Sequence, residues 1–194
     1  MRRVNIIKKI DNIYLVGVVH NIQCDNNSLE NQIFKDYLQQ KIKQFVPDII
    51  VEEFSEEALE INRTKNTIAQ DMAKQQNIEY IFCDPNSEQR EKIGIPSRSK
   101  IKKELNINGP VYWNSTQDKQ IKKEQIKYFP IREKYWIDEI KNKPFSKMIF
   151  ICGRDHLKSF KILLKKYKYE VYILDFMKNY LESKKYSKKC IIKK

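Results

Sequence analysis

The hydrophobic residues of the chain fall into short apolar runs that alternate with longer amphipathic stretches. Three runs rich in β-branched residues predict buried strands, at residues 14–19, 48–54 and 148–152. Such continuous runs are typical of parallel strands, because helices cover both faces of a parallel sheet. Weaker runs predict further strands at residues 4–9, 78–83 and 169–174. The first weak strand and residues 12–19 are placed to form a hairpin across Asp11 and Asn12.

Helical periodicity fills the segments between the strands. Apolar residues recur about every 3.6 positions over residues 28–44, 55–75 and 157–167. Ser28 and Ser55 precede two of these patterns, as helix N-caps do. The alternation of strands and helices predicts an α/β fold. Its central sheet should be mainly parallel, or mixed if the hairpin forms, and flanked by helices.

The length and composition of the chain predict a single domain with one interruption. A chain of 194 residues suits a single domain with a substantial core, which we place at residues 1–182. Residues 84–111 carry prolines and glycines and few apolar side chains, which predicts a loop or lid excursion. Residues 183–194 form a basic tail that we expect to fray.

The chain is strongly basic, with 38 Lys and Arg against 25 Asp and Glu and a net charge of +13. Such a charge makes a nucleic acid or another polyanion a candidate partner. Lysine is scattered over every segment, however, and arginine, the residue that reads base edges, is scarce. We therefore expect at most weak nucleic-acid binding. One alternative for the function is therefore a polyanion-binding protein or a nuclease, in which any other catalytic site is vestigial or repurposed.

Targeting and redox signals are absent from the sequence as it stands. No apolar run approaches the ~20 residues of a membrane span, and no signal-peptide apolar region follows the basic first residues. The four cysteines have neither CxxC nor zinc-finger spacing, which indicates free thiols. We expect a cytoplasmic protein without membrane insertion.

Both histidines of the chain end a Gly-x-x-His tetrapeptide directly after a strong strand prediction. The two tetrapeptides are GVVH at residues 17–20 and GRDH at residues 153–156. Open α/β sheets bind their ligands at the carboxyl ends of the strands, and a glycine there permits a tight exit or a close backbone approach. The positions therefore predict one functional site that contains His20 and His156.

A third strand prediction ends in two acidic residues, Glu52 and Glu53. Side chains alternate across a strand, so the two carboxylates should point to opposite sides while the strand continues. Glu53 is the better candidate for the site. Glu52 is a second catalytic candidate, and it is equally well interpreted as part of the acidic first turn of the next helix, where it would favour the helix dipole.

Two imidazoles and a carboxylate suit a catalytic divalent metal such as Mn, Co or Zn, with His20, Glu53 and His156 as ligands. Such a metal lowers the pKa of a bound water towards neutrality. A metal-free site is the alternative, with one histidine as the general base and Glu53 orienting it. The sequence lacks a GxSxG elbow and the glycine-rich loops of Walker-type or dinucleotide sites.

Five segments together resemble the TraB–Tiki–erythromycin-esterase-like superfamily. They are GVVH, DIIVEEF, IREKYWIDEI, FICGRDH and YEVYIL, and they cover residues 14–54 and about 131–174. The hallmark of that superfamily is two GxxH motifs framing a glutamate or a glutamate pair. The resemblance implies a metal-dependent hydrolase that acts on an amide or ester bond of a peptide or small molecule. His20, Glu53 and His156 then stand at the motif positions.

The resemblance also implies a role for Arg132, which stands where the superfamily has an arginine–acid pair one helix before the second GxxH motif. The alternative is an ion pair on a helix surface. The second motif departs from the common pattern, because the charged pair Arg154 and Asp155 replaces small residues. Arg154 either binds an anionic group or faces water.

Overall fold

The computed structural model describes residues 11–24, 28–112, 114–178 and 180. Five strands form one sheet: β1 (Asn12–Val18), β2 (Ile49–Glu52), β3 (Glu79–Phe82), β4 (Lys147–Gly153) and β5 (Glu170–Asp175). Their order across the sheet is β3-β2-β4-β1-β5, and every ladder between them is parallel. The predicted α/β fold with helices flanking a central sheet is confirmed. The hairpin predicted with residues 4–9 lies outside the described residues.

Helices connect and flank the strands, and the bounds of eight α-helices are defined. They are α1 (Leu29–Phe45), α2 (Glu56–Ile61), α3 (Ile68–Gln75), α4 (Ser87–Lys92), α5 (Arg98–Glu104), α6 (Thr116–Ile126), α7 (Phe129–Ile140) and α8 (Leu157–Lys166). The predicted caps of α1 and α2 are both present. The Ser28 side chain accepts a hydrogen bond from the backbone N–H of Asn31, and the Ser55 side chain accepts one from Ala58. No helix of the described residues is long and apolar enough to cross a membrane.

The single helix predicted over residues 55–75 is wrong, because the structure breaks it into α2 and α3. Arg63 adopts a left-handed φ of 52° after α2 ends, and Thr67 then caps α3 by accepting a hydrogen bond from the backbone N–H of Gln70. The Thr67 hydroxyl also donates to the buried carboxylate of Glu52 at 2.6 Å. Thr67 has the extended backbone of a helix cap, which a continuous helix would not allow. Tertiary contacts therefore override the helical periodicity of residues 55–75.

The expected excursion at residues 84–111 is more ordered than a loop, since it contains α4 and α5. Asn86 and Ser97 cap these helices, and both side chains accept a backbone N–H of the first turn. Ile95 and Ile101 are buried and fix the segment to the rest of the molecule. The low hydrophobicity of the segment hid these helices, because each buries so few apolar side chains.

Apolar residues pack on both faces of the sheet, as the continuous strand patterns predict. One core lies between the sheet and helices α7 and α8, and it contains Trp136, Phe150 and Phe160. The other lies against α1 and α3 and contains Phe34 and Ile149. Because α7 is anchored through Trp136, the side chains one turn earlier on the same helix are held near the carboxyl ends of the strands.

The strand order brings distant parts of the chain together. β4 lies between β1 and β2, so the carboxyl ends of these three strands are neighbours although the sequence separates them widely. A short 3-10 helix begins at His20 directly after β1, and another ends at His156 directly after β4. Glu53 follows β2. The topology therefore places all three residues at one rim of the sheet.

Candidate active site

The side chains of His20, Glu53 and His156 meet around one carboxylate oxygen. Oε1 of Glu53 lies 3.4 Å from Nε2 of His20 and 3.7 Å from Nε2 of His156. Both imidazoles thus present the same ring nitrogen to the same acid. The positions of the three residues at strand ends predict this convergence, and the structure shows it.

The glycine of each Gly-x-x-His motif allows a close approach that a side chain would block. A Cβ at Gly153 would lie 2.9 Å from Nε2 of His20 and 3.4 Å from Oε2 of Glu53. A Cβ at Gly17 would lie 2.4 Å from Cδ1 of Leu157, the first residue of α8. One glycine therefore makes room for the site itself, and the other makes room for the helix that follows the second motif.

Glu53 is a buried carboxylate that stays ionised. Its Oε2 accepts a hydrogen bond from the backbone N–H of Gly153 at 2.6 Å, and Nη2 of Arg132 lies 2.8 Å from its Oε1. Burial raises the pKa of Glu53, but the charge of Arg132 and then that of His20 outweigh it, so the pKa falls well below the ordinary value. The contact from Arg132 is too oblique for a hydrogen bond, which leaves Oε1 with unused acceptor capacity.

His20 lies at the mouth of the site, with 51% of its side-chain surface exposed. Its Nδ1 is 2.7 Å from Oε1 of Gln23. Burial lowers the pKa of His20, but the charge and hydrogen bond of Glu53 outweigh this and raise it to about 9. Water screens part of that attraction at an exposed ring. The direction of the shift favours the imidazolium form at neutral pH.

His156 is buried, with 3% of its side chain exposed. Its Nδ1 lies 2.9 Å from Oε1 of Glu133, and that same oxygen accepts a hydrogen bond from the hydroxyl of Ser159 at 2.5 Å. Its ring stacks on Phe129 with the centroids 3.6 Å apart. A carboxylate only accepts, so Nδ1 carries the proton and Nε2 is left to face Glu53.

Arg132 is part of the site and not a surface ion pair. Its Nε and Nη2 donate to the two carboxylate oxygens of Asp84 at 2.6 and 2.7 Å, while Nη2 also contacts Glu53. Burial lowers the pKa of Arg132, but the charges of Glu53 and Asp84 outweigh this and raise it. A fixed guanidinium between two carboxylates holds both in place.

Glu52 points to the other side of β2, as side-chain alternation predicts. Its carboxylate accepts hydrogen bonds from Tyr80 at 2.5 Å, Thr67 at 2.6 Å and Gln23 at 2.8 Å. Burial raises its pKa despite these bonds. Glu52 therefore does not contact the proposed reacting centre directly, as the catalytic role expected for it would require. Glu52 instead orients Gln23 and, through it, His20, and it does not belong to the first turn of α2.

Three residues of the site escaped the sequence analysis: Gln23, Asp84 and Glu133. Asp84 lies two residues after the end of β3, so its position near a strand end could have selected it, as it selected Glu53. Glu133 stands next to Arg132 and three residues before Trp136, on one face of α7, and this spacing is the sequence signal that could have selected it. Nothing in the sequence around Gln23 indicates its role.

A cavity of about 520 Å³ opens above the histidines. His20, His156 and Arg132 line it together with residues of α5 and α6 and the chain that leads into α7. Its remaining lining is mainly apolar or cationic; it includes Val18, Ile95, Ile101, Ile126, Phe129 and Arg154. The volume suits a small molecule or a short segment of a peptide.

The expected divalent metal would have His20, Glu53 and His156 as its ligands. Two imidazoles and a carboxylate are suitable donors, but Glu53 already contacts a guanidinium through Oε1 and a backbone N–H through Oε2. Within the described ranges, no group of three or more His, Cys, Asp or Glu side chains is arranged to hold a metal ion. Arg132 would repel a second cation beside Glu53. A metal ion held by His20, Glu53 and His156 would therefore have to displace the contact between Arg132 and Glu53.

Comparisons of the chain with family models, curated proteins and solved structures found no match.

Proposed function

We propose that this protein is a hydrolase that cleaves an amide or ester bond by general acid–base catalysis with His20 and His156. One observation carries the proposal. Two imidazoles present Nε2 to one ionised, buried carboxylate at the bottom of a cavity, and each has its own partner on Nδ1. The resemblance to the TraB–Tiki–erythromycin-esterase-like superfamily points to the same class of reaction.

His156 is the general base in this proposal. Glu133 accepts a hydrogen bond from Nδ1–H of the ring that lines the cavity, so in the neutral form that the proposal requires the lone pair is on Nε2. That nitrogen takes a proton from a water molecule as the water oxygen attacks the carbonyl carbon of the substrate. Glu133 then stabilises the imidazolium that forms, as the carboxylate of a catalytic triad does.

His20 is the general acid. Its raised pKa supplies an imidazolium at neutral pH, and its half-exposed ring lines the cavity where a substrate would bind. When the tetrahedral intermediate collapses, Nε2 of His20 gives its proton to the leaving oxygen or nitrogen as the bond to the carbonyl carbon breaks. Glu53 is the shared counter-charge of both rings, and Arg132 keeps it ionised and in place.

A metal-dependent version of the same hydrolase is the second candidate, because the Nε2 atoms of both histidines lie within 3.7 Å of Oε1 of Glu53. In that version His20, Glu53 and His156 would hold Mn, Co or Zn, and the metal would supply an activated water. Glu53 would first have to lose its contact with Arg132.

Turnover of the wild-type protein and of site variants tests the proposal. The substrates are 4-nitrophenyl hexanoate and a set of fluorescence-quenched peptides. We expect His20→Asn, His156→Asn and Glu53→Gln each to lower kcat/KM by about 10²- to 10⁴-fold. EDTA should leave the wild-type rate unchanged. Activity that is lost in EDTA and restored by Mn²⁺, Co²⁺ or Zn²⁺ would instead support the metal-dependent version.

Glu56→Gln is the matched control, because it removes an acid from the start of α2 that lies outside the site. Its rate should equal that of the wild type. The proposal fails if the three site variants turn over as fast as this control, or if the wild type cleaves neither class of substrate.

A further inference from the structure

The cavity wall formed by α5 and α6 carries two cations that share one carboxylate. Nη2 of Arg98 lies 2.6 Å from Oδ1 of Asp118, and Nζ of Lys122 lies 2.8 Å from Oδ2. The side chains of Arg98 and Lys122 are 44% and 33% exposed, whereas that of Asp118 is 2% exposed. The positive groups therefore face the cavity, and the negative group lies behind them.

Asp118 fixes these cations in place. Besides both side chains, it accepts a hydrogen bond from the backbone N–H of Asn114 at 3.1 Å. The hydrogen bond from Lys122 is the largest of several contacts that lower the pKa of Asp118 to about 2. Asp118 stays ionised. Arg98, Lys122 and Asp118 together carry a formal charge of +1 at the cavity wall, and their fixed geometry reduces the entropy lost on binding a ligand.

Three further arginines line the cavity, and three carboxylates match them in number. Arg154 donates to Asp175 at 3.0 Å beside the second histidine motif. Arg132 lies between Glu53 and Asp84, and Arg90 also pairs with Asp84. Among the lysines and arginines of the lining, the excess of positive charge is thus on the α5–α6 wall. A guanidinium has five N–H donors, and Arg98 needs only Nη2 for Asp118.

Apolar side chains surround this cluster. Ile95 and Ile101 are buried beneath the cavity, whereas Ile126 is 51% exposed. Phe129 lines the cavity as well and stacks on His156. The wall therefore combines one anion-binding point with an apolar surface that leads to the proposed reacting centre.

We propose that Arg98 and Lys122 bind an anionic group, a carboxylate or a phosphate, of a substrate whose apolar part lies against Ile126 and Phe129. The position of the reacting bond, at His20 and His156, rests on the proposed function. The anion binding does not, because it requires no turnover. The cavity then selects amphipathic anions over neutral compounds of the same shape.

Calorimetric titration of the full chain with three probes tests the proposal. Hexanoate and hexyl phosphate carry the two kinds of anionic group, and hexanamide is the neutral match of hexanoate. We expect both anions to bind at least about tenfold more tightly than hexanamide, because a charge-assisted hydrogen bond is worth at least that factor. The tighter of the two anions identifies the preferred group.

Variants locate the binding. Arg98→Gln with Lys122→Gln should remove the preference for anions and leave hexanamide binding unchanged. The matched control is Lys103→Gln with Lys123→Gln, which removes the same charge from exposed positions of the same two helices, and it should retain the preference. Arg98→Gln alone leaves the ion pair of Lys122 with Asp118 in place. If the double variant does not fold, this single variant tests whether Arg98 contributes to the preference for anions.

Failure of the two proposals can be told apart. Equal binding of hexanoate and hexanamide to the wild type would overturn the anion site, as would an equal loss of preference in the control variant. Hydrolysis is measured separately with 4-nitrophenyl hydrogen adipate and 4-nitrophenyl hexanoate. Cleavage of both esters at the same rate would refute the selection of anionic substrates, but it would still support the proposed hydrolase. Selective binding of the anions without cleavage of either ester would refute the hydrolase alone.

Discussion

At the scale of single residues, the charge of Glu53 is set by its neighbours. A buried carboxylate prefers to be neutral, yet Arg132 and His20 lie close enough to keep it ionised. In return, Glu53 raises the pKa of His20, which is the property that makes His20 a proton donor at neutral pH. The function proposed for one residue thus depends directly on the charge of another.

Titration of the histidine ring signals by NMR tests this dependence. We expect His20 to titrate with a pKa of about 9 in the wild type and substantially lower in Glu53→Gln, because the attracting charge is gone. The chain has two histidines, so His156→Asn assigns the signals. Glu56→Gln should leave the His20 titration unchanged. A wild-type pKa of His20 near the ordinary value of 6.5 would contradict the expectation.

The same shift has a consequence for stability. The folded protein binds the His20 proton more tightly than the unfolded chain does, so the ion pair stabilises the fold fully below the unfolded pKa of 6.5. This contribution is lost as the pH rises through about 9. The free energy of unfolding of the wild type should therefore fall over that range relative to His20→Asn.

At the scale of elements, each Gly-x-x-His motif is a strand end that turns into a 3-10 helix. The glycine at the start of each motif serves packing, but the two serve different neighbours. Gly153 makes room for His20 and Glu53, whereas Gly17 makes room for Leu157 at the start of α8. The motif therefore positions the site through backbone proximity as well as through its histidine.

Gly17→Ala should destabilise the protein by about 1–3 kcal/mol, as overpacking of a core does. Its Cβ would meet Leu157 side-chain atoms at 2.4 to 3.2 Å. Leu157→Ala removes those atoms, so we expect Gly17→Ala to cost clearly less in the Leu157→Ala background than in the wild type. Urea unfolding of the two single variants and the double variant measures this coupling. Additive effects would show that the clash is not the cause.

The elements also show where periodicity misleads. The apolar pattern over residues 55–75 is helical throughout, but Glu52 needs the hydroxyl of Thr67, and this contact fixes the point at which α3 begins. Conversely, α4 and α5 have strong caps and few apolar residues, so hydrophobicity alone missed them. Capping residues are therefore the better signal for short helices on a surface.

At the scale of the whole molecule, the net charge of +13 acts over long range and attracts anions of any kind. In the described residues many cations are paired with carboxylates, as Arg132 is with Asp84 and Arg154 is with Asp175. The charge is thus spread over the molecule, and the α5–α6 wall is a local excess at the candidate site.

Nucleic-acid binding should consequently be weak and lose most of its affinity in salt, because it would come from counterion release alone. Fluorescence polarisation with single- and double-stranded oligonucleotides at about 50 and 200 mM salt measures this. Tight binding that survives the higher salt concentration would contradict the expectation. It would favour a polyanion-binding protein over a hydrolase.

The sequence by itself determined the α/β fold, the caps of α1 and α2, and the three strand ends that carry His20, Glu53 and His156. These depend on local patterns, because burial on both faces of a strand and side-chain alternation are set by neighbours in the chain. Alternation also separated Glu53 from Glu52 correctly.

Only the tertiary structure decided the partners of these residues. Asp84 on Arg132, Glu133 on His156 and Gln23 between Glu52 and His20 are contacts between elements distant in sequence. They depend on the order β3-β2-β4-β1-β5 and on the face that α7 turns towards the sheet. A local pattern records that a residue is polar and near a strand end, but the packing of the whole chain selects the charge that it meets.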